Sequence, residues 1–328
     1  MKRITVILLF ISLLTQGQSI EQFGFIEKSI QSKNDTISYY IFGNTETIKS
    51  KRPLLLFLQG SGADPIFKID ENGSISSSLI LPPQMIENNF HYVVIGKPGC
   101  QFVDTYDAKP SEKYHQTMSH NYRVNTANTV INQLIKEDFI DKSKVVIVGH
   151  SEGGQIAPQI AYTNKNVTHI ACLSGTAVNQ MYDFLTNIRK DVKNGDITTQ
   201  EADKQIDSLY YYYKDIMNHP KATDKFWAGH TYLRWSSAIE NQPLKYLKQL
   251  DIPIYIVAGT NDNAAPIEDM DNIPIEFIAL QKENLTYKDY WNYDHSYNEV
   301  IINDDGSYSA TNHIVDVMID LLKWVYGN

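Results

Sequence analysis

Residues 145–154 read Val145-Val146-Ile147-Val148-Gly149-His150-Ser151-Glu152-Gly153-Gly154, an apolar run that leads directly into a glycine-rich turn around a serine. The aliphatic run is typical of a strand buried on both faces, and residues 154–162 carry apolar side chains at helical spacing. A G-x-S-x-G sequence between a strand and a helix predicts a sharp elbow, whose small neighbours tolerate a strained serine and leave its hydroxyl exposed. Ser151 is therefore the candidate nucleophile.

A serine hydroxyl is a weak nucleophile at neutral pH, so such an elbow needs a base and an acid that orients the base. The chain order of serine, acid and histidine selects Asp262 and His295 for these roles. Asp262 lies in a polar loop after the apolar segment 254–258, and His295 follows the apolar and aromatic stretch 285–293. Other acids and histidines fit the order or the position less well, and they are Asp269, Asp271, His313, His230 and His150.

Acyl transfer also requires hydrogen-bond donors for the oxyanion of the tetrahedral intermediate. The elbow supplies the backbone N–H of Glu152, the residue after the nucleophile. The segment after residues 54–58 reads Gln59-Gly60-Ser61-Gly62-Ala63-Asp64, and its glycines permit close approach of the backbone to a bound carbonyl. The Ser61 N–H is the predicted second donor of this oxyanion loop, and an ordinary tight turn is the alternative.

Apolar segments and helical stretches alternate along the chain, which predicts the α/β class, with a mostly parallel central sheet and helices on both faces. The predicted strands cover residues 37–42, 54–58, 92–95, 145–148, 169–173, 254–258 and 286–290, and the predicted helices cover 125–135, 154–162 and 313–325. Residues 178–250 interrupt this alternation with helix formers and many aromatic residues, which favour burial. We predict that this segment is a helical cap inserted over the carboxyl ends of the strands. An excursion packed on the flank is the alternative.

Together these segments resemble the α/β-hydrolase superfamily from about Pro53 to the C-terminus, with the cap as the divergent part. Residues 149–158 are similar to the elbow of bacterial serine esterases and prolyl-oligopeptidase-like hydrolases. That group usually has a histidine before the first glycine of the oxyanion loop, where this chain has Gln59. Gly96-Lys97-Pro98-Gly99 also resembles a turn frequent in the superfamily, and we interpret it as structural.

The resemblance implies the α/β-hydrolase fold and a two-step hydrolysis through an acyl-enzyme. Ser151 would attack the carbonyl, His295 would transfer the proton, and Asp262 would hold the imidazole tautomer. No metal and no organic cofactor is implied, and the sequence shows no cluster of His and Cys at the spacing of metal ligands.

Residues 1–19 have the pattern of an export signal. Met1-Lys2-Arg3 precedes an apolar run at 4–14 and a small, polar stretch at 15–19. This order is typical of a secretory signal peptide, and the apolar run is short for a membrane span. We predict cleavage after Ser19, a mature domain over residues 20–328, and a periplasmic or secreted location. An uncleaved membrane anchor is the alternative.

Composition limits the partners of the protein. The 328 residues carry a formal net charge of -9, without a cluster of Lys and Arg, which argues against a nucleic-acid surface. No other apolar stretch is long enough to cross a membrane. The two cysteines, Cys100 and Cys172, are too few for a disulfide scaffold, and neither is a candidate catalytic residue.

Three classes of function are compatible with the sequence. The first is a carboxylesterase-like serine hydrolase that acts on small-molecule esters. The second is a serine peptidase of the prolyl-oligopeptidase or aminopeptidase type, which acts on short peptides and could use Glu152 or Glu201 to bind a substrate amine. An acyltransferase is a further variant of these enzymatic functions, and it would have to exclude water from the acyl-enzyme. The third is a binding protein without catalysis, against which the complete set of Ser151, Asp262 and His295 argues.

Overall fold

The computed structural model describes residues 20–32, 35–86, 88–302 and 307–328. The predicted signal peptide, residues 1–19, lies outside this part of the chain. Within the described residues, no helix combines the length and the apolar character needed to cross a bilayer.

The secondary structure alternates strands and helices along most of the chain. The strands are β1 (Phe25–Ser32), β2 (Asp35–Phe42), β3 (Arg52–Leu58), β4 (Phe67–Ile69), β5 (Ile75–Ser77), β6 (His91–Ile95), β7 (Val103–Thr105), β8 (Ile140–His150), β9 (His169–Leu173), β10 (Phe226–Trp227), β11 (His230–Thr231), β12 (Ile254–Gly259), β13 (Leu285–Tyr290), β14 (Asn298–Ile302) and β15 (Tyr308–Asn312). The helices are α1 (Glu112–Thr117), α2 (His120–Leu134), α3 (Glu152–Thr163), α4 (Gln180–Asn194), α5 (Thr199–Asn218), α6 (Tyr232–Glu240), α7 (Pro243–Leu247), α8 (Ile267–Met270), α9 (Asn272–Ala279) and α10 (Ile314–Gly327).

The central sheet has eight strands in the order β1-β2-β6-β3-β8-β9-β12-β13. The β1–β2 and β2–β6 pairs are antiparallel, and every pair from β6 to β13 is parallel. The predicted α/β-hydrolase architecture with a mostly parallel sheet is therefore confirmed. Each of the seven strands predicted from the sequence is present in this sheet.

The central strand β8 shows why its sequence is continuously apolar. Successive side chains of a strand point to opposite faces of the sheet. Val145 and Ile147 belong to the core on one face, and Val146 and Val148 belong to the core on the other face. Because both faces are covered, no position of this run is exposed to water, and none requires a polar residue.

The segment 178–250 forms helices α4, α5, α6 and α7 and the short β10–β11 hairpin, between β9 and β12. Helices α4, α5 and α6 share a hydrophobic cluster of their own, in which Ile188, Ile206 and Trp235 are buried. Tyr210 and Tyr211, by contrast, are exposed. The aromatic content of this segment is therefore only partly explained by its core. Residues 178–250 thus form an inserted helical segment.

Candidate active site

Ser151 lies at the sharp turn between β8 and α3, with φ 56° and ψ −123°. Its backbone N–H donates to the carbonyl oxygen of Leu173 at 2.9 Å. The glycines around it are required by close backbone contacts. A Cβ atom at Gly149 would lie 2.2 Å from the carbonyl oxygen of Gly153, and a Cβ atom at Gly153 would lie 2.1 Å from that of Leu58. The strand–serine–helix elbow predicted from the sequence has this geometry.

Asp262 and His295 meet although they lie on different loops, after β12 and β13 respectively. The distance between His295 Nδ1 and Asp262 Oδ2 is 2.8 Å. Asp262 is completely buried, and its Oδ1 accepts the N–H groups of Ala264 and Ala265 at 2.8 and 2.9 Å. Because a carboxylate only accepts hydrogen bonds, His295 Nδ1 carries the hydrogen, and Nε2 keeps the lone pair that a base needs.

The loop of His295 is held against the nucleophile elbow. His150 Nε2 donates to the carbonyl oxygen of His295 at 3.0 Å, and the two imidazole rings have centroids 4.9 Å apart. Burial, followed by the charge of His295, lowers the pKa of His150 to about 4. His295 therefore packs against the residue that precedes Ser151. No hydrogen bond within the described residues joins Ser151 Oγ to His295, and such contacts are often long before substrate binds.

The loop that follows β3 lies beside the nucleophile. A Cβ atom at Gly60 would lie 3.2 Å from Ser151 Cβ and 3.6 Å from Ser151 Oγ. Glu152 is the first residue of α3, so its N–H has no acceptor within the helix. Within the described part of the chain, the Ser61 N–H likewise has no hydrogen-bond acceptor. Both N–H groups proposed as oxyanion donors are thus unengaged.

The Glu152 side chain forms a buried ionic cluster with residues from two other helices. Its Oε1 accepts from Arg123 Nη1 of α2 at 2.7 Å. Its Oε2 accepts from Arg234 of α6, at 2.6 Å from Nη2 and 2.9 Å from Nε, and lies 3.4 Å from His120 Nε2. Burial alone would raise the pKa of Glu152, but the charges of Arg234, His120 and Arg123 outweigh it and hold that pKa well below its usual range.

Sequence reasoning missed these partners of Glu152. They lie on helices distant in the chain, and no local motif marks a basic residue that pairs with a buried carboxylate. The turn at residues 96–99, interpreted as structural, also proves to contact the oxyanion loop through Lys97 Nζ. The available signal was Glu152 itself, an acid at the second variable position of the G-x-S-x-G motif. An acid that is buried at this position requires a cation as its partner.

The weaker candidates for acid and base contact other partners. Asp269 accepts from the N–H of Ala177 at 3.1 Å, and His313 lies 3.3 Å from Glu299 and 3.1 Å from Asp316. His230 lies in the β10–β11 hairpin of the inserted helical segment.

The described residues include no group of three or more His, Cys, Asp or Glu side chains that could hold a metal ion. Cys100 and Cys172 are both free thiols. Burial raises the pKa of the Cys100 thiol to about 11 and that of Cys172 further, so neither is activated as a nucleophile.

Three features together define the hydrolase class of α/β folds. They are a mostly parallel sheet, a serine elbow between a strand and a helix, and an acid and a histidine after later strands of the sheet. The sequence profile of the alpha/beta hydrolase fold matches residues 53–296. The chain therefore belongs to the α/β-hydrolase superfamily.

Solved structures of similar fold include both esterase-like and peptidase chains. Est1E from Butyrivibrio proteoclasticus with bound ferulic acid has a TM-score of 0.58 and 12% identity, covering 92% of this chain and 98% of its own. The acylaminoacyl peptidase of Pyrococcus horikoshii has a TM-score of 0.53 and 14% identity, covering 83% of this chain and 38% of its own. A puromycin-hydrolyzing peptidase of Mycobacterium tuberculosis has a TM-score of 0.51 and 10% identity, covering 83% and 37%. The chain thus spans little more than a third of either peptidase. A comparison with curated protein sequences gives no match.

Proposed function

We propose that this chain is an exported serine hydrolase that cleaves carboxylic esters through Ser151, His295 and Asp262. The observation that carries the proposal is the contact of 2.8 Å between His295 Nδ1 and the fully buried Asp262. This contact leaves the other ring nitrogen free as a base, on a loop packed against the elbow that holds Ser151 at positive φ. Members of the superfamily catalyse different reactions with the same fold, so the substrate class follows from the residues of the site rather than from the fold.

The proposed reaction has two steps. His295 Nε2 removes the proton of Ser151 Oγ, which attacks the ester carbonyl, and the N–H groups of Ser61 and Glu152 stabilise the oxyanion. The tetrahedral intermediate collapses, and His295 returns the proton to the departing alcohol. Water, deprotonated by His295, then attacks the acyl-enzyme, releases the carboxylic acid and restores the Ser151 hydroxyl.

An ester substrate is favoured over a peptide with a free N-terminus because the two acids predicted as amine-binding groups, Glu152 and Glu201, have other partners. Both oxygens of Glu152 are bonded to arginines. Glu201 forms a capping box with Thr198 at the start of α5, where its carboxylate accepts from the Thr198 N–H at 2.8 Å. A substrate ammonium group would have to displace one of these interactions.

Labelling with a fluorophosphonate probe tests the nucleophile and the base. We expect the wild type to be labelled, Ser151→Ala to lose labelling, and His295→Ala to be labelled at a strongly reduced rate. Ser143→Ala and His219→Ala, at exposed positions, are the matched controls and should label like the wild type. A folded wild type that neither labels nor turns over substrate would identify a binding protein instead.

Turnover of p-nitrophenyl acetate and of aminoacyl anilides separates the two hydrolase alternatives. Under the proposal, the ester is the better substrate by kcat/KM. Preference for the anilide would support the peptidase. N-terminal sequencing of protein recovered from the exported fraction tests export, and Ile20 is the expected first residue.

A further inference from the structure

Arg123 holds two consecutive carbonyl groups of the oxyanion loop. Its Nη2 donates to the carbonyl oxygen of Gln59 at 2.5 Å, and its Nη1 is 3.3 Å from that of Gly60. The same Nη1 donates to Glu152 at 2.7 Å. The guanidinium group is buried, so these hydrogen bonds form without competition from bulk water. Arg123 therefore joins the oxyanion loop to the elbow.

Lys97 holds the next two carbonyl groups of the same loop. Its Nζ donates to the carbonyl oxygen of Ser61 at 3.1 Å and to that of Gly62 at 2.8 Å. The Lys97 side chain is also buried. Residues 59–62 thus direct four successive carbonyl groups toward two cations, which is an arrangement that an ordinary tight turn does not need.

The orientation of a carbonyl group fixes the orientation of the following N–H group. In a trans peptide the C=O of one residue and the N–H of the next point in opposite directions, and the described residues contain no cis peptide bond. The bond from Arg123 to the Gly60 carbonyl therefore fixes the Ser61 N–H in the opposite direction within the same peptide plane. Gly60 itself lies against Ser151, so this plane belongs to the wall of the site.

We propose that Arg123 and Lys97 are positioning residues of the oxyanion hole. Arg123 fixes the peptide that carries the Ser61 N–H and ties it to Glu152, whose own N–H is the other donor. Lys97 fixes the two peptides that follow and prevents the loop from rotating. This inference rests on the proposed hydrolysis at Ser151 and assigns the preorganisation of its oxyanion donors to two side chains that do not touch the substrate.

The environment of Lys97 supplies a pH readout for this role. Burial, followed by the charge of Arg123, lowers the pKa of Lys97 to about 8, whereas the charges of Glu152 and Asp64 act in the opposite direction. A neutral amine still donates hydrogen bonds, but charged donors form stronger ones. The hold on the Ser61 and Gly62 carbonyls should therefore weaken as the pH rises through about 8.

The test compares Arg123→Lys, Lys97→Met and Ser151→Ala with a matched control, Lys142→Met, which changes an exposed lysine. Ester kinetics, affinity for a trifluoromethyl ketone and the pH profile of kcat are measured on the full mature protein. We expect kcat to fall about 10- to 100-fold in both positioning variants, with little change in KM. N–H donors in the wrong orientation stabilise the transition state less but leave the binding of the substrate unchanged. The affinity for the ketone, which forms a tetrahedral adduct, should fall by the same factor. The alkaline decline of kcat near pH 8 should disappear in Lys97→Met.

Several outcomes would overturn the inference. Folded Arg123→Lys and Lys97→Met proteins with unchanged kcat and unchanged ketone affinity would do so, as would a change confined to KM. If Arg123→Lys does not fold, the result for Lys97→Met alone decides whether the inference holds. Removal of the Lys97 amine leaves the ion pairs of Glu152 intact, so this variant should fold. An unlabelled wild type, or labelling that survives in Ser151→Ala, would overturn the proposed function as well. Normal labelling of wild type with fully active positioning variants would overturn only the inference.

Discussion

Ser151 adopts a backbone conformation that a residue with a side chain rarely takes. Its φ of 56° lies in the left-handed region, where a non-glycine residue costs about 1–3 kcal/mol. The surrounding structure offsets this strain, since the Ser151 N–H bonds to β9 and the first turn of α3 follows immediately. The sequence predicts this residue because the flanking glycines are needed by backbone contacts that any such elbow makes.

Gly153→Ala should destabilise the elbow. The added methyl group would lie 2.1 Å from the carbonyl oxygen of Leu58 and 2.9 Å from that of Gln59. Backbone atoms cannot yield as a flexible side chain can, so we expect a loss of about 1–3 kcal/mol in the free energy of unfolding. Denaturant unfolding measures this loss. Gly327→Ala is the control, because no atom lies within 4 Å of its added Cβ, and equal stability of the two variants would contradict the prediction.

Asp262→Asn should abolish most turnover while the protein stays folded. An asparagine can present an N–H to His295 Nδ1 and favour the wrong imidazole tautomer, which removes the lone pair on Nε2. We expect kcat to fall by about 10³-fold or more, with KM changed little. Steady-state ester kinetics provide the measurement. Asp289→Asn, at an exposed position of β13, should be fully active, and a mild loss in Asp262→Asn would place the orienting acid elsewhere.

At the level of elements, the sequence predicts those parts whose pattern is local. Strand β9 is observed with the predicted bounds, and β8 extends beyond its predicted apolar run. The hairpin β14–β15, between His295 and α10, was not predicted, because every residue of β15 is exposed and the apolar run of β14 is only three residues long. Short exposed strands lack the burial pattern from which sequence reasoning starts.

Arg234→Met should weaken the attachment of the inserted helical segment. Arg234 of α6 bonds Glu152 in the elbow and, at 3.0 Å, Gln180 Oε1 of α4. Its loss leaves Arg123 as the only permanent cation beside Glu152 among the described residues and removes the donors to Oε2, which costs about 1–3 kcal/mol. We expect lower thermal stability and faster proteolytic cleavage in the segment 178–250. Arg189→Met, at an exposed position of α4, is the control, and unchanged proteolysis in Arg234→Met would show that other contacts hold the segment.

For the whole molecule, the candidate site assembles from residues as distant in sequence as Gly60 and His295. The order of the motif selects Ser151, Asp262 and His295 as candidates, and we expect such residues to lie close together because parallel strands bring their carboxyl ends to one edge of the sheet. The ionic partners of Glu152 could not be predicted, since α2 and α6 approach the elbow only after the chain has folded. Sequence therefore predicts groups on strand-end loops better than the side chains that support them from helices.

A second buried acid group joins the inserted helical segment to the body of the fold. Thr176 Oγ1 lies within hydrogen-bond distance of Asp183 Oδ1 of α4, at 3.1 Å, and of Asp269 Oδ2 in α8. Both carboxyl groups are buried. Burial, followed by the charge of Asp269, raises the pKa of Asp183 to about 9, so Asp183 is protonated at neutral pH.

This carboxyl pair should make stability depend on pH. A carboxyl group whose pKa is raised on folding contributes stability that is complete below about pH 4. This stability falls progressively as the pH rises and is lost once the pH passes about 9. The slope is at most about 1.4 kcal/mol per pH unit.

Asp183→Asn keeps a donor toward Asp269 and an acceptor for Thr176 but cannot ionise. We expect its unfolding temperature to exceed that of the wild type at pH 8 and to vary less between pH 5 and 8. Asp196→Asn, at an exposed position of the same segment, should retain the wild-type pH profile. A wild-type slope preserved in Asp183→Asn would assign the pH dependence to other groups.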